Sequence, residues 1–110
     1  MSADPGLEID PSAFAELKAR AVRHSVLDVR EPWETAICAL EDSLMIPLRE
    51  IPGRLAELPR EDVLVVVCHH GNRSLQVASW LRGQGFERAA SLVGGLDAWA
   101  SGFDPDMGRY

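Results

Sequence analysis

The chain has 110 residues, which suits one domain spanning residues 1–110. A chain of this size buries roughly 60–70% of its unfolded surface, so its core needs neither a disulfide nor a metal. Its net charge of −6 argues against non-specific binding to nucleic acid or to an anionic membrane, both of which call for basic surface. No apolar run approaches the ~20 residues of a membrane span. The polar, acidic stretch Met1 to Asp10 lacks the charged, apolar and small-residue succession of a signal peptide. With Cys38 and Cys68 as its two cysteines, the expectation is a cytoplasmic protein with free thiols.

Along the chain, strand-like and helix-like segments alternate. Leu7-Glu8-Ile9 reads as a short strand, and Asp10-Pro11 as a helix start, with Asp10 as N-cap and proline at the first helical position. That helix continues through Phe14, Leu17, Lys18 and Val22. His24 is expected as a plain surface residue ahead of a second strand, Ser25 to Val29, after which Glu31-Pro32 opens a short helix holding Trp33, Ala36 and Ile37. Ser43 to Ile46 is a third strand, stopped by Pro47. Leu48, Ile51, Leu55 and Leu58 recur at helical spacing, with Pro52-Gly53 breaking the element.

Val63 to Val67 is an unbroken apolar run, as expected of a strand buried on both faces. A helix packing through Leu75, Ala78 and Leu81 follows, ended by Gly83 and Gly85. Ala90 to Val93 is the fifth strand, Gly94-Gly95 a turn, and Leu96 to Ala100 the last helix. Five alternations with short connections predict an α/β fold, a five-stranded parallel sheet with helices on both faces. Ligands bind such sheets outside the carboxyl ends of the strands.

Cys68-His69-His70-Gly71-Asn72-Arg73-Ser74 lies at that end of the most apolar strand. The backbone N–H groups that open a helix carry partial positive charge and have no partner within it. A sulfur placed among them is favoured as the thiolate, its nucleophilic form. Gly71 permits a tight turn, Arg73 supplies a fixed cation and Ser74 suits a helix start. The bland reading of such a cysteine, a small buried hydrophobe, would need none of the three. His69 and His70 read in several ways: they attract an anion, carry a proton near neutral pH, or merely face solvent. Cys68, His69, His70 and Cys38 are poorly spaced for tetrahedral zinc, so no metal site is expected.

With these segments in view, the chain resembles a single-domain rhodanese-like sulfurtransferase. The likeness rests on Leu27-Asp28-Val29-Arg30-Glu31-Pro32, on Ile46-Pro47-Leu48, on the Cys68 to Ser74 loop, on Gly85-Phe86 and on Leu92-Val93-Gly94-Gly95-Leu96-Asp97-Ala98-Trp99. The resemblance implies a cysteine that carries sulfur as a persulfide, without metal or organic cofactor. Cys68 would be the sulfur acceptor. Arg73 and the loop from His69 through His70, Gly71 and Asn72 to Ser74 would hold the persulfide and a small anionic donor such as thiosulfate. Asp28 and Arg30 would support the architecture beside the loop rather than touch substrate. The acceptor would be cyanide or a thiol, with thioredoxin or a sulfur-carrier protein among the partners. One segment departs from the family's usual Gly-His-Ile-x-Gly-Ala or Gly-His-Ile-x-Gly-Ser: here it reads Cys38-Ala39-Leu40-Glu41-Asp42-Ser43, which puts that turn's conformation in doubt. Two alternatives stand beside the enzyme: a non-catalytic binding or sulfur-relay module, and a cysteine phosphatase or arsenate reductase. The last class places five residues between Cys and Arg, whereas four stand here.

Overall fold

A computed structural model describes residues 6–108. Residues 1–5 and 109–110, and with them half of the stretch read as lacking a signal peptide and the two ends of the expected domain, lie outside the described residues. The elements in order are β1 (Glu8–Ile9), α1 (Pro11–Ala19), β2 (His24–Asp28), α2 (Pro32–Thr35), β3 (Leu44–Met45), 3₁₀ segments at Leu48–Gly53 and Leu55–Glu57, β4 (Val63–Val67), α3 (Asn72–Gly83), β5 (Ala89–Leu92) and α4 (Gly95–Phe103). The five strands form one sheet in the order β1-β5-β4-β2-β3, and every neighbouring pair is parallel. The α/β architecture is the expected one.

Strand β4 is central and wholly buried, so its side chains separate two cores. Val63, Val65 and Val67 join Phe14, Leu96 and Trp99 on the α1 and α4 side, while Leu64 and Val66 join Val77, Leu81 and Phe86 on the α3 side. This alternation is the two-residue period of a strand, and it puts helices on both faces. Asp10 caps α1 as expected, its carboxylate accepting from the Ala13 N–H at 2.8 Å. Pro52 lies inside the first 3₁₀ segment, where the sequence placed the break in a helix. His24 is not a plain surface residue: it is half-buried, edge-on to Phe14 at 5.9 Å.

The helix after the loop begins earlier than expected, at Asn72, with Gly71 as its N-cap at φ 101°. Ser74, read as a helix start, is instead inside the first turn. The segment that departs from the family pattern is a turn in which Asp42 takes φ 59° and the Ser43 hydroxyl donates to the Leu40 carbonyl at 2.9 Å. Asp42 stands where the family pattern has its second glycine, and Asp is among the few other residues that tolerate the left-handed region. The left-handed position of this turn is thus filled without a glycine.

Two left-handed glycines fasten α4 to the β4 exit. Gly94 and Gly95 adopt φ 76° and 63°, which aims the Leu96 N–H at the Cys68 carbonyl (2.8 Å) and the Asp97 N–H at the His69 carbonyl (3.0 Å). A Cβ on Gly95 would come within 2.4 Å of both carbonyl oxygens, so only glycine fits. Gly95→Ala should therefore destabilise the protein by about 2 kcal/mol or more, the cost of forcing a non-glycine residue into that conformation plus the displacement of rigid backbone. Urea unfolding would measure it, and Gly102→Ala, where an added Cβ meets open space, is the control.

Candidate active site

Cys68 follows the last residue of β4 directly, and the chain turns over Gly71 into α3. The sulfur is buried, the residue being 1% exposed. The Gly71 N–H donates to Sγ at 3.0 Å and the Ser74 N–H at 3.3 Å, with the Ser74 hydroxyl oxygen 3.4 Å away. Both amides belong to the N-terminal turn of a twelve-residue helix, where unpaired donors and the helix dipole favour a negative charge. The expected cradle is present in this form. Two of its features were not read from the sequence: the Ser74 hydroxyl lies 2.7 Å from that of Ser91 on β5, and it also donates to the Gly71 carbonyl at 3.2 Å. A serine within the apolar run Ala89–Leu92 was the signal that could have disclosed the first of these.

Asp28 and Arg30 form a buried pair beside the loop. The Asp28 carboxylate accepts from the Arg30 Nε at 2.9 Å and from its Nη2 at 2.7 Å, with both side chains at 0% exposure. Removing two charges from water is costly unless every polar atom is satisfied. Here the guanidinium also donates to the Cys38 carbonyl at 2.6 Å and, more loosely, to the Cys38 sulfur at 3.6 Å. Asp28 pairs with Val67 in the sheet, so this network is one strand away from the site.

Arg73 has a partner within the fold that the sequence reading did not include. Its guanidinium was read as the loop's fixed cation for an anionic donor, but it grips the carboxylate of Glu34, Nη1 to Oε1 at 2.6 Å and Nη2 to Oε2 at 2.8 Å. Glu34 is 3% exposed and was not singled out from the sequence. Its Oε1 also accepts the Glu31 N–H at 3.0 Å, a capping box at the start of α2, and the Glu31–Glu34 spacing was the available signal.

The remaining loop residues sit at the surface side. Asn72 and His70 are exposed, and His69 is half-buried with its ring edge-on to His70 at 4.1 Å. Burial first, then the neighbouring His70, pushes the His69 imidazole below its usual 6.5. That shift disfavours the charged form of the ring, the form that its anion-attracting reading calls on. His70 Nδ1 lies 3.9 Å from an Asp97 carboxylate oxygen. Among the described residues no group of three or more His, Cys, Asp or Glu side chains is placed to hold a metal, and no helix is long and apolar enough to cross a membrane.

The His69 shift has a consequence for stability. The unfolded chain takes up a proton as pH falls past about 6.5 while the folded His69 resists it, so the unfolded state binds more protons there and stability falls with pH. Replacing it by His69→Gln removes that contribution. Between pH 7 and pH 5 the urea midpoint should drop less in the variant than in the parent protein.

Comparison with known proteins places this geometry. Residues 10–102 match the family model for the Rhodanese-like domain. A sulfurtransferase from Allochromatium vinosum is 36% identical over 84% of this chain and 87% of its own length. The thiosulfate sulfurtransferase GlpE of Ectopseudomonas mendocina is 30% identical, with 92% and 91% covered. Other relatives are longer: the adenylyltransferase and sulfurtransferase MOCS3 of Arabidopsis thaliana is 33% identical over 93% of this chain, which spans 25% of it. Among solved structures, a rhodanese-like domain protein from Staphylococcus aureus superposes with a TM-score of 0.79 at 27% identity, covering 84% of this chain and 90% of that one. From the Cys68 loop to the sheet order, this chain belongs to the rhodanese-like sulfurtransferase family.

Proposed function

We propose that the protein is a sulfurtransferase that carries sulfane sulfur on Cys68. The observation that bears most weight is the pair of backbone N–H groups, from Gly71 and Ser74, directed at one sulfur. In the first half-reaction the Cys68 thiolate attacks the outer sulfur of thiosulfate. A new S–S bond forms, the old one breaks, and sulfite leaves with its bonding pair. In the second, an acceptor's lone pair attacks the terminal sulfur, and the electrons of that S–S bond return to Cys68 as thiolate. Cyanide leaves as thiocyanate, and a thiolate becomes a persulfide. Two covalent half-reactions imply ping-pong kinetics. Negative charge moves between sulfurs in each, and donors that are already in place need no reorganisation to meet it.

The sulfur-donor class is anionic and small, and a thiol, cyanide, thioredoxin or a sulfur-carrier protein would be the acceptor. The name of one relative, the thiosulfate sulfurtransferase GlpE, favours thiosulfate as donor. A cytoplasmic setting fits two cysteines that are both free. On this reading residues 1–110 act as one domain, Asp28 and Arg30 support the site, and His69, His70 and Asn72 line its mouth. A phosphatase reading has less support, because four residues between Cys68 and Arg73 make a smaller ring of amides than five.

Mass spectrometry after thiosulfate exposure tests the proposal directly. One added sulfur atom on Cys68, removed by cyanide, is the expected result, and no adduct would leave the binding-module reading. Cys68→Ser should abolish thiosulfate:cyanide transfer, whereas Cys38→Ser should keep it near the parent rate. Cys68-dependent turnover of an aryl phosphate rivalling sulfur transfer would overturn the assignment.

A further inference from the structure

The carboxylate of Glu34 is the buried member of an unequal pair: its side chain is 4% exposed and that of Arg73 36%. A buried carboxylate is costly unless its oxygens are fully engaged, and here Oε1 takes Arg73 and the Glu31 N–H while Oε2 takes Arg73. The Glu34 carbonyl faces Arg30 Nη1 at 3.4 Å, which joins the clamp to the buried Asp28–Arg30 pair. Arg73 is the second residue of α3, and the next residue, Ser74, sends its N–H to the Cys68 sulfur. A two-point, planar grip on Arg73 therefore fixes the turn that presents an amide to the nucleophile.

We propose that Glu34 is a positioning residue for sulfur transfer: through Arg73 it holds the first turn of α3 in register with Cys68, and the donor's charge is met by loop amides rather than by Arg73. The proposal rests on the Cys68 reading above. It departs from the expectation that Arg73 binds the donor, because Nη1 and Nη2 each donate to a Glu34 carboxylate oxygen.

Two variants separate the alternatives. Glu34→Gln removes the charge of the clamp and keeps its shape, and Arg73→Lys keeps the cation but loses the fork. Each should lower kcat for thiosulfate:cyanide transfer by about ten- to hundredfold, the scale of a small misplacement at a reacting centre. KM for thiosulfate should stay within about threefold, because no donor-binding group is lost. The double variant should be no worse than the poorer single one, since the two residues act as a unit. Arg73→Lys with parental kcat, a fall in KM for thiosulfate in Glu34→Gln with kcat kept, or losses that multiply in the double variant would each overturn the proposal. Should Glu34→Gln fail to fold by circular dichroism, Arg73→Lys, altered at the more exposed side of the pair, decides alone. Alkylation of Cys68 by uncharged iodoacetamide, followed by peptide mass spectrometry, reads the loop without sulfur transfer. Slowing by a similar factor in the folded variants supports the clamp, and parental rates in them overturn it. A parent protein that takes no sulfur on Cys68 would overturn the transfer reading, with the alkylation rates still deciding the role of Glu34.

Discussion

The site depends on how one short segment is suspended by backbone hydrogen bonds from two helices at once. On its carbonyl side, the Leu96 and Asp97 amides of α4 hold the Cys68 and His69 oxygens. On its sulfur side, the Gly71 and Ser74 amides of α3 point at Sγ. Both helices begin at a glycine with positive φ, Gly71 for one and Gly94 for the other, and an added Cβ on Gly71 would lie 3.1 Å from the Gly94 nitrogen. The two turns interlock because neither carries a side chain where they meet. The parallel sheet makes this meeting possible, since β4 and β5 are neighbours running the same way and their exits open at the same end.

The electrostatic character of the site follows from that arrangement. The protein is acidic overall, Arg73 is paired with a carboxylate, and burial and His70 both disfavour the charged form of His69. The positive potential nearest the sulfur therefore comes from peptide dipoles. Dipoles of this kind act at short range and are fixed in direction by the fold, so they favour an anion at one point rather than across a surface. A thiolate, whose negative charge rests on the one sulfur that the Gly71 and Ser74 amides face, matches a source of that kind.

Much of this was legible in the sequence because the signals were local. Val63 to Val67 announced a strand buried on both faces, Asp10-Pro11 a helix start, and the Cys68 to Ser74 segment a polar turn between strand and helix. What was missed depends on distance in the chain. Glu34 and Arg73 are 39 residues apart, and nothing near either one announces the other. Ser91 reaches Ser74 only because β5 lies beside β4. The start of α3 was misplaced for a different reason: Ser74 has the chemistry of a cap, but the left-handed Gly71 ends the turn first and leaves the serine hydroxyl for the strand.

Asp42 shows how far local chemistry substitutes for a motif. The family pattern has glycine where the chain needs a left-handed residue, and this chain supplies aspartate at φ 59°. The neighbouring departure, cysteine in place of the first glycine, leaves intact the contact that joins this turn to the site, because Arg30 Nη2 binds the Cys38 main-chain carbonyl, which any residue provides. The Cys38 side chain adds only the longer sulfur contact to the same guanidinium. Both changes thus spare the backbone features on which Arg30 and, through the Glu34 carbonyl, the α2 segment depend. In this chain a left-handed aspartate and a main-chain carbonyl thus shape the turn and tie it to Arg30 without help from the glycines of the family pattern.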